Sequence, residues 1–159
     1  MEPEDLDFLY NMENDHEVWN VGNTNVPYSR YVLHDYIANA SNDIYHDGQV
    51  RLIVENEEGE TVGMADVFDF NAQHRRAEIS IVINRNYRQR GYAEAAITQI
   101  AEYSRRTLHL FQLYAIVAEN NNPSLRLFEK TGFKHAATLE KWLFDGEKYA
   151  NAIFFQRFL

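Results

Sequence analysis

"INRNYRQRGYAEAAI" (Ile83–Ile97) closes an apolar strand-like run, passes through a loop with three arginines and one glycine, and enters an Ala-rich helix at once. The chain carries a net charge of −9, yet it gathers Arg85, Arg88 and Arg90 in front of a helix N-terminus. Cationic side chains and free backbone N–H donors at that spot suit an anion, most often a phosphate. A strand, loop and helix in that order form half of a crossover unit, a frequent place for phosphorylated ligands in α/β proteins.

The flanking sequence supplies the other elements. Upstream, "RRAEISIVI" alternates as a strand, and "VRLIVEN" and "TVGMADVFDF" read as a hairpin joined through "EEGE". Two helices precede them. One starts at Pro3 and carries Leu6, Leu9 and Tyr10 on one face; the other is capped by Ser29 and repeats Val32, Leu33, Tyr36, Ile37 and Ala40. Downstream, Tyr92–Thr107 reads as a helix, "FQLYAIVA" as a strand and "NPSLRLFEKTG" as a short helix stopped at Gly132. "WLFDGEKYANAIFFQRF" reads as a hairpin turning on Asp145-Gly146. The order αα-βββ-α-β-α-ββ predicts an α/β (α+β) mixed sheet with helices on its faces.

At 159 residues, the sequence is expected to make a single domain over 1–159. Its 45% hydrophobic and 25% charged content is that of a globular chain, and no apolar run approaches membrane-spanning length. There is no Cys, hence no disulfide, thiolate ligand or cysteine nucleophile, which fits a cytoplasmic protein. The acidic balance argues against nucleic acid and leaves room for a cationic small molecule. His16, His34, His46, His74, His109 and His135 show no metal-binding spacing, so no metal is expected.

"RQRGYA" matches the Arg/Gln-x-x-Gly-x-Gly/Ala signature of the GNAT superfamily of N-acetyltransferases, with Arg88, Gly91 and Ala93 in the signature positions. "NNPSLRLFEKTGF" resembles that superfamily's downstream element, and "HRRAEISIVI" and "FDGEKYANA" are similar to bacterial spermidine/spermine (diamine) acetyltransferases in particular. Ribosomal-protein N-acetyltransferases are the other group it resembles. The resemblance runs from about Glu4 to the C-terminus. It implies a mixed, mostly antiparallel sheet splayed at its centre, and acetyl-CoA as cosubstrate. That fold usually opens with a strand, whereas only Met-Glu precedes Pro3 here.

Carried over to this sequence, the resemblance has backbone N–H groups from Gln89 through Arg90, Gly91 and Tyr92 to Ala93 enclosing the pyrophosphate of CoA, with Arg88 or Arg90 adding charge. A glycine at 91 allows close backbone approach. Ile81, Val82 and Ile83 would pair with the pantetheine arm. Asn121 and the helix Ser124–Lys130, including Phe128, would line the other side; Asn121 is equally suited to a helix cap.

Amine acetylation needs a base, donors for the developing oxyanion and a proton for the departing thiolate. Glu78 is the only acid within "AEISIVI", on the face of Ser80 and Val82, where burial would raise its pKa. It suits either a base or a structural partner of Arg75 or Arg76. An N–H near Val82 is expected to meet the thioester oxygen. Many relatives carry a proton-donating Tyr in the short helix, but this chain has Phe128, which cannot donate. Ser124, four residues earlier, is the candidate donor, with an N-cap after Pro123 as its alternative role and Tyr92, Tyr114 or bulk water as alternative proton sources.

In the diamine group the places of Asp66 and Asp69 hold acids that meet cationic ligands; a solvated strand face is the alternative. Glu13, Asp15 and Glu17 could extend a negative cleft, and Trp19 could supply a cation–π wall. The expectation is therefore an acetyl-CoA-dependent acyltransferase acting on a small-molecule primary amine, a polyamine or diamine first. A protein N-terminus or an antibiotic amine is the rival acceptor. A non-catalytic acyl-CoA-binding or polyamine-sensing protein, or a scaffold with an empty cleft, is the rival class. Edge strands and the aromatic "AIFFQRF" suit a homo-oligomer.

Overall fold

The computed structural model describes residues 1–15, 26–41 and 43–159. A 3₁₀ turn at Pro3–Asp5 leads into α1 (Leu6–Glu13), as proline early and acids in the first turn dictate. α2 (Arg30–Asn39) starts at Ser29, whose side chain accepts a bond from the Val32 N–H. A four-residue helix absent from the sequence reading, α3 (Ile44–Asp47), follows its Asp43 cap and ends at Gly48.

Six strands form one sheet in the order β1-β2-β3-β4-β6-β5. β1 (Val50–Glu55), β2 (Thr61–Asn71) and β3 (Arg76–Ile83) make an antiparallel meander. β4 (Gln112–Ala118) pairs antiparallel with β6 (Tyr149–Phe158), which pairs with β5 (Lys134–Phe144). Between the halves, β3 and β4 run parallel and pair only over Arg76–Glu78 against Gln112–Tyr114. Beyond Glu78 the two strands part, so the expected splay lies at the centre of a mostly antiparallel sheet.

The two faces are covered by different helices. α4 (Tyr92–Arg106) and α5 (Asn122–Lys130) bury Ile97, Ile100, Ala101 and Phe128 against Ala77, Ile79, Leu113, Ala115 and Phe155. α1 and α2 lay Leu9, Met12 and Leu33 on Met64 and Val82 of the opposite face. Burying each large side chain such as Ile79 or Leu9 contributes about 1.5–3 kcal/mol. Gly63 on β2 is dictated by packing, because a Cβ there would stand 2.5 Å from the Val82 carbonyl oxygen.

β5 begins at Lys134, well before the Trp142 start read from sequence. It is an edge strand with most of both faces exposed, so its side chains need no alternation and carry no periodic signal.

Candidate active site

The site is built where β3 and β4 part. The Asn84 N–H donates to the Val62 carbonyl (2.9 Å), and the regular β2–β3 register carries that alternation back through Val82, Ser80 and Glu78. Main-chain groups of those residues face β2. Those of Ile81 and Ile83 face the opening beyond the last β3–β4 pair, Glu78 with Tyr114. Of the three residues assigned to an extended ligand, Ile81 and Ile83 thus turn their backbone to the opening, with the Ile83 carbonyl already accepting from Arg88 Nε. Val82 does not: its N–H points into the sheet, and its side chain packs with α1. The Val82 N–H is therefore not placed to meet a ligand oxygen in the opening.

The loop after β3 turns away through a 3₁₀ segment at Arg85–Tyr87. Gln89 (φ 62°) and Gly91 (φ 87°) both adopt left-handed backbone conformations. This arrangement aims the N–H groups from Gln89 to Ala93 off the helix start, and none of them donates to a protein carbonyl among the described residues. A Cβ at Gly91 would meet no atom within 4 Å, so the space beside this donor run is open. Donors, open space and the α4 N-terminus fit a pyrophosphate.

The three arginines are not equivalent. Arg85 pairs with Asp15 at 3.0 Å, the Arg88 Nε donates to the Ile83 carbonyl at 3.0 Å, and Arg90 lies 5.4 Å over the Tyr87 ring. Arg88 therefore braces the strand end as well as carrying charge. A cavity of about 180 Å³ lies between α1 and this loop, with Met12, Asp15, Asn84, Arg85 and Arg88 in its wall.

Glu78 stands at the vertex of the splay, the last β3 residue paired with β4 and the partner of Tyr114. Neither Arg75 nor Arg76 pairs with it: Arg75 donates through Nε to the His109 carbonyl, and Glu78 has no ion pair among the described residues. Burial, then the charge of Asp69, pushes its carboxyl up to about 7. Asp69 reaches this place because β2 bulges between Phe68 and Asn71, with Asp69 at φ 48°. Its carboxylate accepts a bond from the Tyr114 hydroxyl. Burial, that bond and the Glu78 charge raise the Tyr114 pKa strongly, so Tyr114 is a poor acid. The Tyr114 ring stacks on Phe154 at 5.2 Å.

Asp66 has a different environment. Arg51 grips it through Nε and Nη2 and also binds Glu13, and all three side chains are mostly buried between α1 and the sheet. Burial lowers the Arg51 pKa, but Asp66 and Glu13 outweigh it and hold the guanidinium charged. Asp66 is thus a neutralised structural acid instead of a member of an open negative cleft, and it does not lie on a solvated strand face, whereas Asp69 is exposed. Glu13 and Asp15 both meet arginines; Trp19 and Glu17 lie outside the described residues.

On the other wall Asn121 caps α5, its side chain accepting from the Ser124 N–H at 3.3 Å. Ser124 is relieved of the capping role considered for it, and its half-buried hydroxyl makes no bond within the described protein. Lys130 pairs with Glu94 of α4 at 2.6 Å. Phe128 is 4% exposed, edge-on to Phe133 and stacked on Phe155, so its ring belongs to the core behind the wall. Sequence reasoning missed Tyr114 as a partner of Asp69. The bulge that brings Asp69 to Tyr114 leaves no sequence signal.

The chain matches the family described as acetyltransferase (GNAT) domain over residues 1–134. It is 30% identical over 157 residues to a spermidine N(1)-acetyltransferase of Escherichia coli (strain K12), covering 96% of this chain and 80% of that protein. To the Vibrio cholerae spermidine N(1)-acetyltransferase it is 27% identical over 150 residues, covering 94% and 84%. A crystal structure of spermidine N-acetyltransferase from Vibrio cholerae in complex with CoA and spermine superimposes with a TM-score of 0.85 at 25% identity, covering 99% of this chain and 92% of that one. Among the described residues no helix is long and apolar enough to cross a membrane, and no group of three or more His, Asp or Glu side chains could hold a metal ion.

Proposed function

Because the chain belongs to the GNAT acetyltransferase family and is an acetyl-CoA-dependent N-acetyltransferase, we propose that its acceptor is a primary amine of a polyamine, with Glu78 as base. The observation that carries this reading is the Glu78 carboxyl at the vertex where the sheet opens, without an ion pair among the described residues and pushed up to about 7 by burial and Asp69. The named activity of the relatives supports the acceptor class.

Acetyl-CoA supplies the activated acetyl group. The N–H run Gln89–Ala93, with Arg88 and Arg90, holds its phosphates, and the backbone edge at Ile81 and Ile83 aligns its extended arm. Lys130 and the α5 wall with Asn121 and Ser124 close the other side, backed by Phe128. The acceptor ammonium gives one proton to ionised Glu78, and its nitrogen then bonds to the acetyl carbon as the C–S bond breaks. The second proton, which the nitrogen releases as the amide forms, goes to the departing sulfur, with Ser124 Oγ as its relay. Asp69 adds negative charge for the cationic acceptor, and Phe154 and Tyr114 offer an apolar floor for its methylenes. Trp19 keeps its proposed place as an acceptor wall.

The same reading includes one domain over 1–159, a cytoplasmic setting suited to a chain without cysteine, and a homo-oligomer. Trp142, Phe144 and Tyr149 stand exposed at the end of the β5–β6 hairpin, where self-association would cover them. Light scattering on the purified protein checks the last point. The function is tested by thiol release from acetyl-CoA with spermidine, spermine, putrescine, short peptides and aminoglycosides. Release with the polyamines alone is the expected result; release only with peptides or aminoglycosides overturns the acceptor.

A further inference from the structure

We propose that Asp69 and Tyr114 form a positioning pair for Glu78, the Tyr114 hydroxyl holding the Asp69 carboxylate at the vertex so that its charge sets the working state of the Glu78 base. The inference rests on the reading of Glu78 as base and adds to it the residues that set its working state. Its geometry begins with the β2 bulge. Regular alternation would send the side chains of Asp66 and Asp69 to opposite faces, and the left-handed backbone at Asp69 turns the second back toward Tyr114.

Tyr114 lies beside Glu78 in the parallel ladder, so its hydroxyl reaches Asp69 across the vertex. An O–H donor favours the ionised form of the acid it meets. Glu78 has no such donor among the described residues, so its partial burial and then the Asp69 charge raise its proton affinity.

The surrounding groups leave this pair dominant. From β2 come Asp69 and Asp66, from β4 Tyr114, from β3 itself Arg76 and Ser80, and from the overlying helices Glu13 and Tyr36. Asp66 and Glu13 are both held by Arg51, whose guanidinium lies 5.8 Å over the Tyr36 ring. Asp69 is the charge that acts on Glu78, and Arg76 moderates Tyr114. The arrangement differs from a metal or substrate subsite because it is closed by a hydrogen bond within the protein. The Phe154 stack holds the Tyr114 ring in place.

The test is the pH dependence of kcat/KM for the amine in wild type, Asp69→Asn, Tyr114→Phe and Glu78→Gln, with acetyl-CoA affinity measured beside it. Asn tolerates left-handed backbone, so Asp69→Asn keeps the bulge while removing the charge. The acid-limb midpoint is expected to fall by about one pH unit in Asp69→Asn, with acetyl-CoA affinity unchanged. Tyr114→Phe is expected to lower kcat roughly tenfold by releasing the Asp69 carboxylate from its place beside Glu78, with a smaller midpoint change in the same direction.

An unmoved midpoint in Asp69→Asn overturns the inference, whatever happens to kcat. If Glu78→Gln keeps the wild-type profile, the base reading itself fails. If Glu78→Gln loses the acid limb while Asp69→Asn leaves it unmoved, only the positioning role fails. Should Asp69→Asn not fold, carboxyl ¹³C NMR of the wild type, assigned through Glu78→Gln, decides it. Titration of Glu78 near neutrality supports the pair, and titration in the ordinary carboxylate range overturns it.

Discussion

Asp66 and Asp69 lie three residues apart on one strand, yet they belong to opposite kinds of acid cluster. Around Asp66, Arg51 supplies a guanidinium to two carboxylates and is itself sandwiched against α1 and Tyr36. Around Asp69 no cation among the described residues closes the pair: a phenol donates, and burial and the Asp69 charge raise the proton affinity of a second carboxyl, Glu78. The first cluster converts acidic side chains into fold stability. The second keeps them reactive. The number of acids is the same in both, so the presence of one buried cation decides which becomes structural.

The sharpest way to break this comparison is Glu78→Gln. If the second cluster is the reactive one, kcat falls by about 10²–10⁴ with little change in acetyl-CoA affinity, measured by steady-state kinetics and calorimetry. Arg51→Ala tests the first cluster. It strands Asp66 and Glu13 and is expected to cost about 3 kcal/mol, a Tm loss of roughly 6–12 °C, with kcat retained below the new Tm. A kcat loss comparable to that of Glu78→Gln would erase the distinction between the clusters.

A thermal melt across pH sharpens it further. The Glu78 carboxyl stands at about 7 in the folded chain against an ordinary value of 4.5. Below the ordinary value both states are protonated and the group is neutral to stability. As pH rises between the two values, the unfolded chain releases a proton that the folded chain retains, so stability falls until about pH 7. Glu78→Gln does not titrate, and its Tm is therefore expected to improve relative to wild type on moving from pH 5 to pH 8. The smallest effect belongs to Ser80→Ala, which removes a long 3.4 Å bond to an Asp66 already gripped by Arg51. Its expected cost is within about 0.5 kcal/mol in a denaturant titration.

Much of this architecture is legible in the residues. β3 and α4 have interiors of opposite periodicity, 2 and 3.6, and their junction carries a glycine and free donors, so "INRNYRQRGYAEAAI" could be read as strand, anion loop and helix. Glu78 stood out because it is the one carboxyl in an apolar alternation. β5 was read eight residues short because an edge strand exposed on both faces has no hydrophobic pattern to read. Phe128 was read as a missing acid at the site; its ring fills an aromatic stack in the core, which local helical spacing cannot reveal.

The sequence by itself determined the element order, the central crossover with its donor loop, the face on which Glu78 lies and the family resemblance. All of these depend on periodicity and on residues within one or two turns of each other. Only the tertiary structure decided which acids are neutralised, that Asp69 turns back toward Tyr114, and that Ile81 and Ile83, but not Val82, offer their backbone to the opening. Those outcomes depend on contacts across 15 to 45 positions of chain, from Arg51 to Asp66 and from Asp69 to Tyr114, and on one bulge that reverses a side chain. A charge's role is set by the partner that burial brings to it, and that partner is chosen when the sheet closes.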